Sequence, residues 1–201
     1  MNNIDRLLQE SNNTKQFAKG YLNYLSQLLK QLDTDAISAF VEELESARRQ
    51  HKTIFIAGNG GSSATASHMA NDFGLAASKV GKDEAFRAFA LTDNVALLTA
   101  IANDDGYDNI FVNQLKVHYR EKDLFIVISA SGNSSNLIKA VKWVKEKHGK
   151  VIGLLGFEGG KLEDMCDVVV QPKVHKGEYG PAEDVHMIID HLVTAWLYHI
   201  A

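Results

Sequence analysis

The chain has 201 residues, of which 45% are hydrophobic and 23% are charged, and its formal net charge is -4. This composition is typical of a globular domain with a hydrophobic core, so we expect one domain over residues 1–201. Lysine and arginine never run together for more than a pair. Together with the acidic balance, this argues against a nucleic-acid surface and against binding to an acidic membrane, so any anion site must be local.

The cysteine content and the first residues indicate a compartment. Cys166 is the only cysteine in the sequence, which excludes an internal disulfide and fits a reducing cytoplasm. Residues 1–13 contain acids and amides where a signal peptide has a basic start and an apolar block, and no apolar stretch approaches about 18 residues. We therefore expect a cytoplasmic protein with no membrane span.

The first fifty residues have the pattern of packing helices. Apolar residues recur at threes and fours over 4–32, with weak interruptions at residues 11–13 and at Gly20, which predicts an amphipathic helix. Thr34 is a plausible N-cap of a second helix. The apolar stripe of that second helix is Ile37, Phe40, Val41 and Leu44.

Beyond Gln50 the pattern changes to short apolar runs that alternate with helical stretches. The runs are TIFIA, FRAFAL, LFIVIS, KVIGLL and DVVVQ. Consecutive apolar residues are typical of strands in a parallel sheet that is covered on both faces. The alternation predicts a doubly wound α/β sheet with ligands at the carboxyl ends of its strands, and a closing helix from Ala182 to about His199.

A glycine and serine turn, Gly58 to Ser63, follows the first of these runs and leads directly into a helical stretch. Such a turn presents free backbone N–H groups and a helix N-terminus to an anion, although a turn with only a structural role is about as common. The Walker pattern is absent, and the glycine spacing is a poor match to a dinucleotide-binding fingerprint.

A second serine turn, Ser129 to Ser135, follows the run LFIVIS and leads into another helical stretch. Two such turns after two strands of one sheet predict a converging site. Serine hydroxyls and backbone amides can satisfy the oxygens of a phosphate without a cluster of arginines. The sequence therefore predicts a phosphate site between the two turns.

Titratable residues occur close to the first turn and in the closing helix. His68 and Asp72 lie four residues apart, on one helix face, where they could either overlook a bound sugar phosphate or form a solvated pair. In the closing helix we interpret Asp184 as stabilising the first turn. The remaining candidates are His186 and Asp190, interpreted as solvated or structural, and Glu183 and His191, interpreted as functional.

Several motifs together resemble the phosphoheptose isomerases of the sugar isomerase (SIS) superfamily, over nearly the whole chain. They are GNGGSSATASH, TDN, AIANDDGYDNIF, SASGNSSN, GFEGG and EDVHMIIDH. The resemblance implies a flavodoxin-like, doubly wound five-stranded parallel sheet with N-terminal helices that pack in a homotetramer. It also implies that the active sites lie at subunit interfaces.

The resemblance also implies roles for individual residues. The substrate-binding residues would be Asn59, Gly60, Ser62, Asp93, Asn94, Ser129, Ser131 and Ser134. The metal ligands, for one zinc ion per subunit, would be His68, Asp72, Glu183 and His191, and the acid/base residues would be Asp72, Glu183 and His191. Three positions depart from the family pattern: Asp72 replaces a glutamate, Glu183 replaces a glutamine, and Ala130 replaces a threonine.

The activity that the resemblance implies is the interconversion of sedoheptulose 7-phosphate and D-glycero-D-manno-heptose 7-phosphate through an enediol. This reaction needs a base on carbon and an acid that serves the oxygens. We assign the base to Asp72, or to Glu183 if Asp72 is too short, and the acid to His191. Two alternatives stay open, an isomerase of another ketose phosphate and a non-catalytic SIS adaptor or sugar-phosphate-binding protein.

Overall fold

The computed structural model describes residues 1–79 and 85–200, and these form a parallel sheet with helices on both faces. The strands are β1 (Thr53–Gly58), β2 (Arg87–Ala90), β3 (Leu124–Ser129), β4 (Lys150–Leu155) and β5 (Val168–Val170). The helices are α1 (Asn3–Glu10), α2 (Thr14–Lys30), α3 (Thr34–Arg49), α4 (Gly61–Lys79), α5 (Val95–Asp104), α6 (Val112–His118), α7 (Ser135–Glu146), α8 (Gly160–Glu163) and α9 (Tyr179–Ile200), with a 3₁₀ turn at Tyr107–Asn109.

All pairings in the five-stranded sheet are parallel, and the strand order is β2-β1-β3-β4-β5. The predicted doubly wound sheet is therefore confirmed, and every predicted apolar run forms a strand. Residues in β1 and β3 are buried at every position because helices cover both faces, whereas β2, at the edge of the sheet, is only partly buried.

The two faces of the sheet have separate hydrophobic cores. On one face Ile54 and Ile56 pack in a cluster with residues of α3, α4 and α9, such as Phe40, Met69 and Ile189. On the other face the alternate residues of β1 pack in a cluster with residues of α6 and α7. The helices that follow β1 and β3 thus lie on opposite faces, which opens a crevice at the carboxyl ends of these two neighbouring strands.

The N-terminal region differs in detail from the prediction. The interruption at residues 11–13 separates two helices, because Asn13 ends the gap as the N-cap of α2, accepting a hydrogen bond from the Gln16 amide. The N-cap of α3 is Asp33 and not Thr34, since the Asp33 carboxylate accepts from the amides of residues 35 and 36. Gly20 does not interrupt α2; it lies where the side chain of Leu7 packs closely.

Two hydrogen bonds join α2 to the start of α9. The Tyr21 hydroxyl donates to Asp184, and the Tyr24 hydroxyl donates to the buried carboxylate of Glu178, both at 2.5 Å. The Asn3 amide also donates to Glu178. The N-terminal helices therefore contact the N-terminal part of α9 and the residue just before it. None of the helices in the described ranges has the length and apolarity needed to cross a membrane.

Candidate active site

The two serine turns lie side by side at the carboxyl ends of β1 and β3 and line one cleft, of about 170 Å³. The helix that follows each turn, α4 or α7, starts at the cleft, so its N-terminal amides face the same space. Of the predicted substrate-binding residues, the cleft is lined by Asn59, Ser62, Ser129, Ser131 and Ser134. The cleft has the donors that a phosphate group needs, and none of the described residues that line it is lysine or arginine.

Three predicted substrate-binding residues lie outside this lining. Gly60 lines an adjoining cavity of about 170 Å³ that also contains Asn59. Asn94 is the N-cap of α5, because its side chain accepts from the Leu97 amide at 3.0 Å. Asp93 accepts a hydrogen bond from the Ser67 hydroxyl of α4. The side chains of Asn94 and Asp93 thus have structural partners in α5 and α4.

The second serine turn is supported by the turn after β4. Gly132 has a φ of 61°, and a Cβ at this position would overlap the backbone carbonyl of Gly159. The Leu162 amide donates to the Gly132 carbonyl at 3.0 Å, and the Lys161 amide donates to Asn133 Oδ1 at 3.2 Å. The turn that contains GFEGG therefore supports the second serine turn, and glycine on both sides of the contact leaves room for the two backbones to meet.

Glu183 enters the same cleft from the N-terminal part of α9. Its side chain is half-buried and lies directly over Gly61, where a Cβ would overlap the carboxylate. Burial, with a smaller effect of the neighbouring Asp184, raises the pKa of Glu183. This carboxylate beside the serine turns could exchange a proton with a ligand in the cleft.

A second polar cluster lies further along α9, where four side chains that could bind a metal approach one another. The side chains of His68, Asp72, Asp190 and His191 bring their ligand atoms within 4.8 Å of one another. The Nε2 atoms of the two histidines are 3.1 Å apart, and Nε2 of His68 is 3.4 Å from an Asp72 oxygen. This set of imidazoles and carboxylates is the kind that binds zinc.

This group differs from the predicted ligand set by one residue, because Asp190 belongs to it and Glu183 does not. Asp190 is also not solvated, since its side chain is fully buried. Its Oδ2 atom has no hydrogen-bond partner within the described residues. Burial, and then the proximity of Asp72, raises the pKa of Asp190 to about 7. A bound cation would supply both the missing partner and the missing charge.

Asp190 could have been identified from helical spacing. The buried apolar side chains of α9 recur at residues 182, 185, 189 and 193. Residues 186 and 190 follow the same period of four and share that inner face. His186 is likewise buried and not solvated; its Nε2 lies 2.7 Å from the Leu155 carbonyl, and burial lowers its pKa to about 4.

Comparisons with known proteins identify the family of this chain. Residues 16–156 match the SIS domain family. The phosphoheptose isomerase of Aneurinibacillus thermoaerophilus is 39% identical over 172 residues, which are 85% of this chain and 80% of the relative. Phosphoheptose isomerase 2 of Campylobacter jejuni is 37% identical over 79% of this chain and 76% of its own length.

The fold leads to the same family. The structure of phosphoheptose isomerase GmhA from Neisseria gonorrhoeae superposes with a TM-score of 0.81 at 28% identity, covering 92% of this chain and 98% of that one. A phosphoheptose isomerase from Francisella tularensis gives a TM-score of 0.76 at 26% identity, with the same coverage. The resemblance inferred from the motifs is confirmed, and the chain belongs to the phosphoheptose isomerase family of SIS-domain proteins.

Proposed function

We propose that this protein is an aldose–ketose isomerase that interconverts sedoheptulose 7-phosphate and D-glycero-D-manno-heptose 7-phosphate, at the start of nucleotide-activated heptose synthesis. One observation carries the proposal: a cleft between two serine turns also contains the carboxylate of Glu183 and lies in a phosphoheptose isomerase family member. A non-catalytic adaptor would need neither that carboxylate nor a group of histidine and aspartate side chains that could bind a metal.

The serine turns are proposed to bind the phosphate. Hydroxyls of Ser62, Ser129, Ser131 and Ser134 line the cleft, and the N-termini of α4 and α7 add backbone donors and positive potential. Such contacts leave the sugar end of the substrate free to extend toward the reacting groups. Binding through neutral donors also agrees with the net charge of -4.

Glu183 is proposed to be the base. It would take a proton from C1 of the ketose to form the enediol, and return a proton to C2 to form the aldose, while a proton moves from the oxygen on C1 to the oxygen on C2. Asp72 is the base that the sequence favours, but it is less suitable, because its carboxylate lies beside His68 in the group of possible metal ligands described above. Glu183 is free of that group.

A zinc ion is proposed to be held by His68, Asp72, Asp190 and His191. The unpartnered Oδ2 of Asp190 and the facing imidazole nitrogens fit a cation. When bound, the metal would polarise the sugar carbonyl and stabilise negative charge on its oxygen. A ring nitrogen that binds a metal cannot also carry a proton. His191 is therefore proposed to be a metal ligand and not the acid that the sequence predicted.

The protein is further proposed to be a cytoplasmic homotetramer. A groove of about 850 Å³ lies between α3 and α9, and it contains the apolar side chains of Ile37, Leu192 and Trp196. Trp196 is 51% exposed and Leu192 is 46% exposed. Apolar surface of this kind on the helices that flank the site would be covered by a second subunit.

The proposed activity is tested by NMR of the purified protein with sedoheptulose 7-phosphate, with and without zinc. We expect the aldose phosphate to accumulate, together with solvent deuterium at the carbon that receives the proton. A panel of shorter ketose phosphates tests the alternative substrate class. If folded, tetrameric protein turned over none of these compounds in either condition, the proposed function would be wrong.

A further inference from the structure

The two serine turns are joined by a pair of amide side chains. Asn59, in the first turn, donates from Nδ2 to Asn136 Oδ1 at 3.0 Å, and Asn136, just after the second turn, donates from Nδ2 to Asn59 Oδ1 at 2.9 Å. Asn136 is 1% exposed and does not line the cleft, whereas Asn59 does. The reciprocal pair therefore lies behind the site and connects its two halves.

The orientation of both amides is determined by a backbone group. The Leu137 N–H, which can only donate, lies 2.9 Å from Asn136 Oδ1, so this atom must be the oxygen. The other amide atom of Asn136 is then the nitrogen, which donates to Asn59. It follows that the Asn59 atom facing it is the oxygen, and the orientation of the Asn59 amide is not free to reverse.

The hydrogen-bonding capacity of Asn59 shows what it can offer a ligand. Its Oδ1 accepts from Asn136 and also from the Tyr107 hydroxyl, at 3.0 Å, which uses both lone pairs. One Nδ2 hydrogen is donated to Asn136. The second has no acceptor within the described residues, so a donor is all that Asn59 presents to the cleft.

We propose that Asn136 is a positioning residue, which acts through Asn59 and makes it a donor to an acceptor oxygen of the bound sugar phosphate. The inference rests on the proposed function, because it takes a sugar phosphate to be the ligand of this cleft. Without Asn136 the Asn59 amide can rotate and present its carbonyl, which repels a phosphate or carbonyl oxygen. Tyr107 supports the same orientation from the other side of Asn59.

A double-mutant cycle tests this role, with the Kd of sedoheptulose 7-phosphate and of inorganic phosphate measured by calorimetry. We expect Asn136→Ala to weaken sugar-phosphate binding about tenfold, the size of one lost charge-assisted hydrogen bond. In an Asn59→Ala background the same change should alter Kd by less than about twofold, because Asn136 acts only through Asn59. A general structural role would instead weaken binding by the same factor in both backgrounds, and this outcome would overturn the inference.

Tyr107→Phe provides a second cycle if Asn136→Ala does not fold. Tyr107 is 58% exposed, so loss of its hydroxyl should not unfold the protein. We expect a two- to threefold weaker Kd, again only when Asn59 is present. Equal effects with and without Asn59, or wild-type protein that binds neither ligand, would contradict the inference. Binding without turnover would instead refute the proposed isomerase activity. The double-mutant cycle would still test the role of Asn136, because it measures binding alone.

Discussion

At the scale of single residues, two carboxylates on one helix have different surroundings. Glu183 and Asp190 are seven positions apart, which is about 10 Å of helix rise. Glu183 therefore lies over Gly61 at the serine cleft, whereas Asp190 lies two turns later beside His68 and Asp72. The proposed division into a base and a metal ligand follows from this spacing.

The division predicts different defects in two conservative variants. Glu183→Gln should slow isomerisation by roughly 10²–10⁴ because it removes the base, and should leave zinc binding at the wild-type level. Asp190→Asn should weaken zinc binding roughly tenfold or more. Zinc titration of metal-stripped protein and NMR turnover separate the two effects. Glu146→Gln, which changes an exposed carboxylate at the end of α7, is the control. A zinc defect in Glu183→Gln would contradict the assignment.

His186 predicts a specific acid sensitivity. Its pKa is lowered from 6.5 to about 4 in the folded protein, so folding disfavours the protonated ring. Above pH 6.5 the ring is neutral in both the folded and the unfolded chain. As the pH falls from 6.5 towards 4, only the unfolded chain binds the proton, so the folded protein loses stability. Between pH 6.5 and 5 this loss amounts to about 2 kcal/mol in the free energy of unfolding.

His186→Gln should remove this contribution. Glutamine can still donate to the Leu155 carbonyl but does not titrate. Urea unfolding of both proteins at pH 7 and pH 5 is the measurement, and the variant should lose less stability than the wild type on acidification. A wild type and variant with parallel pH dependence would show that His186 does not titrate as its burial requires.

At the scale of elements, the proposed phosphate site depends on turns that contact one another. The second serine turn and the turn after β4 meet at Gly132 and Gly159, both with positive φ. The first serine turn meets α9 at Gly61. Glycine at these contacts lets the second serine turn approach the backbone of the turn after β4, and lets the Glu183 side chain of α9 approach the first serine turn.

Gly132→Ala should destabilise the protein and impair phosphate binding. The added methyl group meets the Gly159 carbonyl, so either the second serine turn or the GFEGG turn must move. Gly106→Ala is the matched control, since Gly106 also has a positive φ, of 88°, but has open space around it. We expect Gly132→Ala to cost about 1–3 kcal/mol more than Gly106→Ala in denaturant unfolding. Equal costs would mean that the contact can relax.

At the scale of the whole molecule, the helices around the sheet carry surface that the described residues of one chain do not cover. The groove between α3 and α9 lies on the same helix as Glu183 and His191. Contacts made there by another subunit would therefore bear on the orientation of α9. Assembly and activity are expected to depend on each other through this helix.

Trp196→Asp should dissociate the proposed tetramer, because it introduces a charge into an apolar contact. Sedimentation velocity should show smaller species, and turnover should fall with assembly. Val117→Asp, which adds the same charge to the exposed residue Val117 of α6, should leave the assembly unchanged. A Trp196→Asp variant that sedimented like the wild type would exclude this groove as a subunit contact.

The sequence alone determined the strands and most of the helices, and it indicated where a site could lie. Strand positions, both serine turns and the nearness of His68 to Asp72 depend on local periodicity and turn chemistry, which a reader can recognise within about ten residues. The family resemblance followed from the same motifs. The sequence pattern predicts the wrong N-cap for α3 and does not separate α1 from α2. Neighbouring polar residues are equivalent candidates for a cap, so local pattern alone does not locate a helix end.

Only the tertiary structure decided which side chains meet. His68 and His191 are 123 residues apart in sequence, and Asn59 and Asn136 are 77 apart. Whether Glu183 or Asp190 joins the histidines depends on how α9 is rotated against the sheet, and that rotation is determined by the packing of its apolar face with α3, α4 and the sheet. Helical spacing indicates which residues share a face, but packing determines what that face touches.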